Sequence, residues 1–152
     1  MTRPDSADAA RMLAELDTAR SELARRAVAP VWYHPALGLL IGGLVAVQGQ
    51  PFVILIPYYL AFGLGLWGLV TAYKRRTGMW INGYRPGRTR WVAMGLAVLV
   101  AAVMLGSVIL MRTFGWTAAP LIGGPIAAVI TTAAGFLWEA AFRRDLKDGL
   151  PL

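Results

Sequence analysis

The sequence contains no cysteine and only one histidine among its 152 residues. The absence of cysteine excludes disulfide bonds, thiolate metal ligands and a cysteine nucleophile, and a single histidine excludes a metal site built from several imidazoles. Acidic residues are also few, with 8 Asp plus Glu against 15 Lys plus Arg. Because few side chains remain that could form a catalytic or metal site, we expect no enzyme activity, no cofactor and no bound metal.

Apolar residues are abundant. The residue types AVILMFWYC make up 57% of the chain, and 17 glycines come in addition. A soluble domain has about 45–50% apolar residues with glycine already counted. One domain of this length cannot bury so much apolar side chain inside itself. The composition therefore predicts a membrane protein.

Four apolar stretches predict membrane spans over about residues 32–48, 51–73, 91–111 and 117–141. A helical span needs about 20 predominantly apolar residues, with about 17–25 tolerated. The first stretch is marginal, because Pro35 fits best in the first turn of a helix and leaves only about 14 residues before Gln48. The other three stretches have sufficient length.

The basic residues predict the orientation. Residues 74–90 hold six of them and no acid, the N-terminal segment holds five, and the tail 143–152 holds three. Cytoplasmic loops are enriched in Lys and Arg, so both termini and the central loop are expected inside, which requires an even number of crossings. The sequence thus predicts an all-α membrane protein with a four-transmembrane-helix bundle over residues 31–142. The 13 Arg against 2 Lys favour a GC-rich bacterial genome and hence a bacterial plasma membrane.

The N-terminal segment, residues 1–30, is predicted to form a cytoplasmic amphipathic helix over residues 6–27. Its apolar residues recur at spacings of three and four and form one stripe: Ala9, Met12, Leu13, Leu16, Ala19 and Leu23. Two interpretations are open. The stripe rests on the protein's own cytoplasmic face, or it pairs with a second copy or a partner protein as a short coiled coil.

Small residues predict how the spans pack, because helices in lipid associate through close backbone approach. The expected packing glycines are Gly38, Gly42, Gly65, Gly68, Gly123 and Gly135. The sequence Gly123-Gly124-Pro125 predicts a kink in the fourth span. The alternative is a broken helix that frees backbone groups for a transport site.

An ionisable group inside hydrocarbon is costly and marks a functional candidate. No such group lies in the middle of a stretch, and Glu139 comes nearest. We expect Glu139 to pair with Arg143 one turn later, and the alternative is a proton or cation site. The other candidate polar or ionisable positions are His34, at the entrance of the first span, Tyr58 and Thr131.

The central loop 74–90 combines basic and aromatic residues. Its charges set the orientation, and they also suit anionic lipid headgroups. The candidate headgroup contacts are Lys74, Arg75, Arg76, Trp80, Arg85, Arg88 and Arg90. Membrane lipids are therefore expected partners, and nucleic acid is not.

The first functional hypothesis is a multi-pass membrane protein without catalytic activity that serves as an accessory or interaction subunit, and homodimerisation is compatible with it. The alternative is a small oligomeric transporter or channel with a path near Tyr58 and Thr131. A second alternative is a lipid-modifying membrane enzyme that uses His34 as an acid–base group.

Overall fold

The computed structural model describes residues 8–15, 18, 29–78 and 87–147, and all regular structure in these ranges is helical. Four helices follow one another: α1 (Tyr33–Ala46), α2 (Phe52–Thr77), α3 (Arg88–Phe114) and α4 (Ala119–Lys147). Residues 8–15 are helical as well. The prediction of an all-helical chain is therefore confirmed for the described residues. Leu16, Ala19 and Leu23 of the predicted N-terminal stripe lie outside them.

Three helices are long and apolar enough to cross a membrane by length and composition: α2, α3 and residues Ala119–Asp145 of α4. This finding is consistent with a membrane location. Helix α1 is apolar but has only 14 residues. At about 1.5 Å per residue it measures about 21 Å, less than the roughly 30 Å of a hydrocarbon core. Pro35 lies in its first turn, where a missing N–H costs no helical hydrogen bond.

The end of α2 and the start of α3 differ from the prediction. Helix α2 continues through residues 74–77 and ends at Gly78, whose φ of 70° is left-handed and whose N–H donates to the carbonyl of Lys74. Basic residues in a last helical turn are favoured by the helix dipole, and glycine readily adopts the left-handed end conformation. Because α3 begins at Arg88, the predicted loop 74–90 was too long at both ends.

The four helices alternate in direction. The start of α1 contacts the end of α2 through Tyr33 and Tyr73, whose ring centroids are 5.4 Å apart. The start of α3 contacts the end of α4, where the N–H of Thr89 lies 3.5 Å from Oδ2 of Asp145. Helix α1 packs most extensively on α4, α3 packs on α4, and α2 makes its main contact with α1. The α1–α4 pair therefore forms the centre of the structure.

Glycines bring the backbones of α1 and α4 together. A Cβ atom added to Gly42 would lie 2.6 Å from the carbonyl oxygen of Gly124, and one added to Gly38 would lie 2.6 Å from that of Ala128. Real Cβ atoms do not approach backbone so closely, so these two positions require glycine. Helix α4 remains helical across residues 123–125, and no unwound transport segment is found there.

The other predicted packing glycines differ in their surroundings. Gly65 faces Leu40, Gly123 faces Ser107 and Val45, and Gly135 faces His34. Gly68 has no heavy atom within 4 Å of an added Cβ. The small-residue face of α2 is therefore only partly occupied by its neighbours in the chain.

Candidate functional site

A buried pair of ionisable side chains joins the first turn of α1 to α4. Nε2 of His34 lies 3.3 Å from Oε2 of Glu139. The two residues are separated by 105 positions in the chain, and their exposed fractions are only 6% and 7%. A charged group is rarely buried unless a partner compensates it. The two candidates that the sequence identified separately thus form one site.

The face of α4 opposite His34 is shaped to accept the imidazole ring. A Cβ atom added to Gly135 would overlap Nδ1 of His34 and lie 2.6 Å from its Cγ, so the ring needs the space that glycine leaves. The Phe136 ring meets the imidazole edge-on, with centroids 4.9 Å apart. The Thr132 hydroxyl donates to the Ala128 carbonyl and lies 3.5 Å from the His34 carbonyl oxygen. Residues 132, 135, 136 and 139 recur at the spacing of one helix face.

Aromatic rings close the other side of the pair. Tyr33 meets His34 edge-on, with centroids 5.5 Å apart, and Tyr73 of α2 packs against Tyr33. Tyr73 is itself buried. Such surroundings exclude water and strengthen electrostatic interactions between the groups inside.

The expected pairing of Glu139 with Arg143 was wrong. Arg143 lies one turn further along α4 and is exposed, whereas the carboxylate is buried and contacts His34. The spacing rule for helical ion pairs holds for side chains that share an exposed face. A carboxylate that faces a neighbouring helix instead takes its partner from that helix.

A second buried carboxylate belongs to Asp145, near the end of α4. It lies beside the first turn of α3. Its Oδ2 accepts a hydrogen bond from the Thr89 N–H, and Asp145 and Thr89 are both fully buried. The first turn of α3 has no acidic residue of its own. Because a negative charge stabilises a helix N-terminus, Asp145 serves as a cap supplied by another helix. Sequence analysis missed this role, and the only signal was an acid near the end of α4.

The remaining polar candidates lie elsewhere. The Tyr58 hydroxyl donates to the Leu40 carbonyl at 2.6 Å, in the second half of α1 and away from His34. Thr131 is buried in α4, and its hydroxyl has no hydrogen-bond partner in the described part of the chain. The structure therefore brings His34 and Glu139 together and leaves Tyr58 outside their site.

The described basic candidates surround the same end of the structure. Five exposed basic residues lie at the end of α2 and at the start of α3: Lys74, Arg75, Arg76, Arg88 and Arg90. Trp80 and Arg85 lie outside the described residues. The exposed Arg143 and Arg144 of α4 were counted as tail charges and add to this basic end.

No protein family model, curated protein or solved structure matches this chain. A functional proposal therefore rests on the site and on the exposed faces of the helices.

Proposed function

We propose that this chain is a multi-pass protein of a bacterial plasma membrane that acts without catalysis as an accessory or interaction subunit. It crosses the bilayer four times, with α1 as the short first crossing and with both termini and the basic end in the cytoplasm. The observation that carries the interaction role is the exposure of the apolar side chains of Met12 and Leu13 in the N-terminal segment, and the open glycine positions of α2 and α3 add to it.

The short α1 supports four crossings because each of its ends meets a neighbouring helix. Its start contacts Tyr73 and Glu139. Beyond its other end, the Gln48 side-chain amide lies 3.3 Å from the Tyr59 hydroxyl, and a Cβ atom added to Gly49 would overlap Met111 of α3. A crossing shorter than the hydrocarbon core is accommodated by local thinning of the bilayer.

The outward faces of α2 and α3 support an interaction role. Gly63 and Gly68 of α2 and Gly95 and Gly106 of α3 have open space where a Cβ atom would be. In lipid, helices associate where small residues allow close approach, since lipid tails are as apolar as leucine. These faces are therefore suited to helices outside this chain. The exposed Met12 and Leu13 of residues 8–15 add apolar contact area in the N-terminal segment.

The basic end supports contact with anionic lipid headgroups. Five exposed basic residues extend from the ends of α2 and α3, and each such residue near an anionic leaflet contributes about 1 kcal/mol. This contact would fix the depth of the helices relative to the cytoplasmic surface. The same charges favour the cytoplasmic orientation.

The two alternatives receive less support from the geometry. A transport path needs polar groups that converge, and Tyr58 donates to the backbone of α1 at a distance from Glu139. A lipid-modifying enzyme needs an acid–base group that substrate can reach, and His34 is buried against Glu139.

We predict that deletion of residues 1–28 abolishes the recovery of a partner protein while the helical domain stays folded. The test uses affinity purification of the tagged full chain and of the shortened chain from the same membranes in mild detergent. The exposed apolar residues of the deleted segment provide the contact, so the partner should be recovered with the full chain only. Equal melting temperatures of the two chains establish that folding is retained.

A matched control replaces Gly63 and Gly68 with leucine in the full chain. It fills both open glycine positions of α2 and leaves the N-terminal segment unchanged. Loss of the partner in this variant alone would move the interaction site from the N-terminal segment to α2. Equal recovery from the full chain, the shortened chain and the control would contradict the proposed interaction role.

A further inference from the structure

We propose that His34 and Glu139 together form a proton-binding site, which holds one exchangeable proton at the contact between α1 and α4. The inference rests on the distance of 3.3 Å between Nε2 and Oε2 and on the burial of both side chains. It does not depend on the proposed interaction role.

The charge of the pair explains why it holds a proton. An ionised Glu139 beside a neutral His34 carries one net negative charge, and one additional proton makes the pair neutral. A net charge in a buried site is costly, and a hydrogen-bonded pair without net charge costs less. Proton uptake by the imidazole of His34 therefore removes an electrostatic penalty at this contact.

Among the residues that the structure describes, the groups placed against the pair are uncharged, so the proton remains as the neutralising charge. From α1 the neighbour is the phenol Tyr33, and from α4 they are Gly135 and Phe136. From α2 the neighbour is the phenol Tyr73, which packs on Tyr33. Phenols are neutral at physiological pH. Arg143, the basic residue one turn along α4, is exposed.

Loss of the proton weakens the attachment of the first turn of α1. The deprotonated pair leaves a buried carboxylate whose charge is better solvated by water. Gly135 and Thr132 hold the imidazole and its backbone in place, so a shift of His34 moves the start of α1 relative to α4.

The test follows the titration of His34 by nitrogen NMR. His34 is the only histidine, so histidine labelled with ¹⁵N gives signals from this ring alone. The full chain is reconstituted in lipid nanodiscs and titrated between about pH 4 and 9. We expect one titration step in the unmodified chain. In Glu139→Gln the ring should release its proton at a pH lower by about one unit or more, because the attracting carboxylate is gone.

Arg143→Gln is the matched control, because it removes the neighbouring charge that the sequence had suggested as the partner. Its titration midpoint should stay within about 0.3 pH units of the unmodified chain, as expected for an exposed and screened group. A midpoint that is the same in the unmodified chain and in Glu139→Gln would overturn the proposal. A ring that stays in one protonation state over the whole range would overturn it as well.

A second measurement on the unmodified chain keeps the proposal testable if Glu139→Gln does not fold. The two ring nitrogens have different ¹⁵N shifts depending on which carries hydrogen. Above the midpoint the remaining proton should reside on Nε2, the atom that faces Oε2 of Glu139. A neutral ring with its proton on Nδ1 would overturn the proposal.

Discussion

Replacing Gly42 with alanine should lower the free energy of unfolding by about 2 kcal/mol. The added Cβ would lie 2.6 Å from the Gly124 carbonyl oxygen and 2.8 Å from the Ala128 Cβ. Neither atom belongs to the far end of a flexible side chain, so α1 and α4 must move apart to accept the methyl group. The separation loses packing along the most extensive helix contact of the structure. Reversible unfolding by SDS in mixed micelles, followed by circular dichroism, measures the loss.

Gly68→Ala is the matched control for this prediction. Gly68 lies in the interior of α2, and an added Cβ meets nothing within 4 Å. The two substitutions gain the same helix propensity, about 1 kcal/mol relative to glycine. The control should therefore be as stable as the unmodified chain or slightly more so. Equal stability of the two alanine variants would show that the backbones of α1 and α4 are not in contact at Gly42.

Replacing Gly87 with alanine should be about as damaging, with an expected loss of about 2–3 kcal/mol. Gly87 precedes α3 with φ 134° and ψ −171°, a conformation that is essentially restricted to glycine. An added Cβ would also lie 2.5 Å from Oδ2 of Asp145. The substitution therefore strains the backbone and displaces the carboxylate that caps α3. The same SDS unfolding experiment measures its effect.

Gly115→Ala gives the cost of a left-handed backbone position that has no neighbouring side chain. Gly115 ends α3 with φ 70° and has open space around the added Cβ. Alanine there costs only the left-handed conformation, about 1 kcal/mol. A Gly87→Ala loss no larger than the Gly115→Ala loss would contradict both the backbone strain at Gly87 and its close contact with Asp145.

Composition and the length of the apolar stretches were sufficient to predict an all-helical chain, because both are local properties of the sequence, and glycine spacing offered Gly38 and Gly42 as packing positions. They were less suited to predicting helix ends. Residues 74–77 carry three basic side chains and were assigned to a loop, yet the helix dipole and the left-handed Gly78 keep them helical. Charge alone does not distinguish a loop from the last turn of a helix.

The two buried carboxylates show a second limit of prediction from the sequence alone. Glu139 and Asp145 lie near the end of α4, and their partners His34 and Thr89 are 105 and 56 positions away. Local spacing offers Arg143 as a partner for Glu139, whereas the actual partner depends on which helices become neighbours. The sequence identified His34 and Glu139 as candidates, and only the antiparallel packing of α1 on α4 joins them.

The central claim, that four crossings place the basic end in the cytoplasm, is tested most directly by cysteine labelling. Because the chain has no cysteine, single variants Ala10→Cys, Gln50→Cys, Arg75→Cys and Thr117→Cys each report one position, and positions 10 and 50 together report whether α1 crosses. Intact cells are treated with a membrane-impermeant maleimide before and after permeabilisation. We predict that the variants at positions 50 and 117 react in intact cells and that the variants at positions 10 and 75 react only after permeabilisation. Labelling of position 75 from outside, or protection of position 50 in intact cells, would contradict the account.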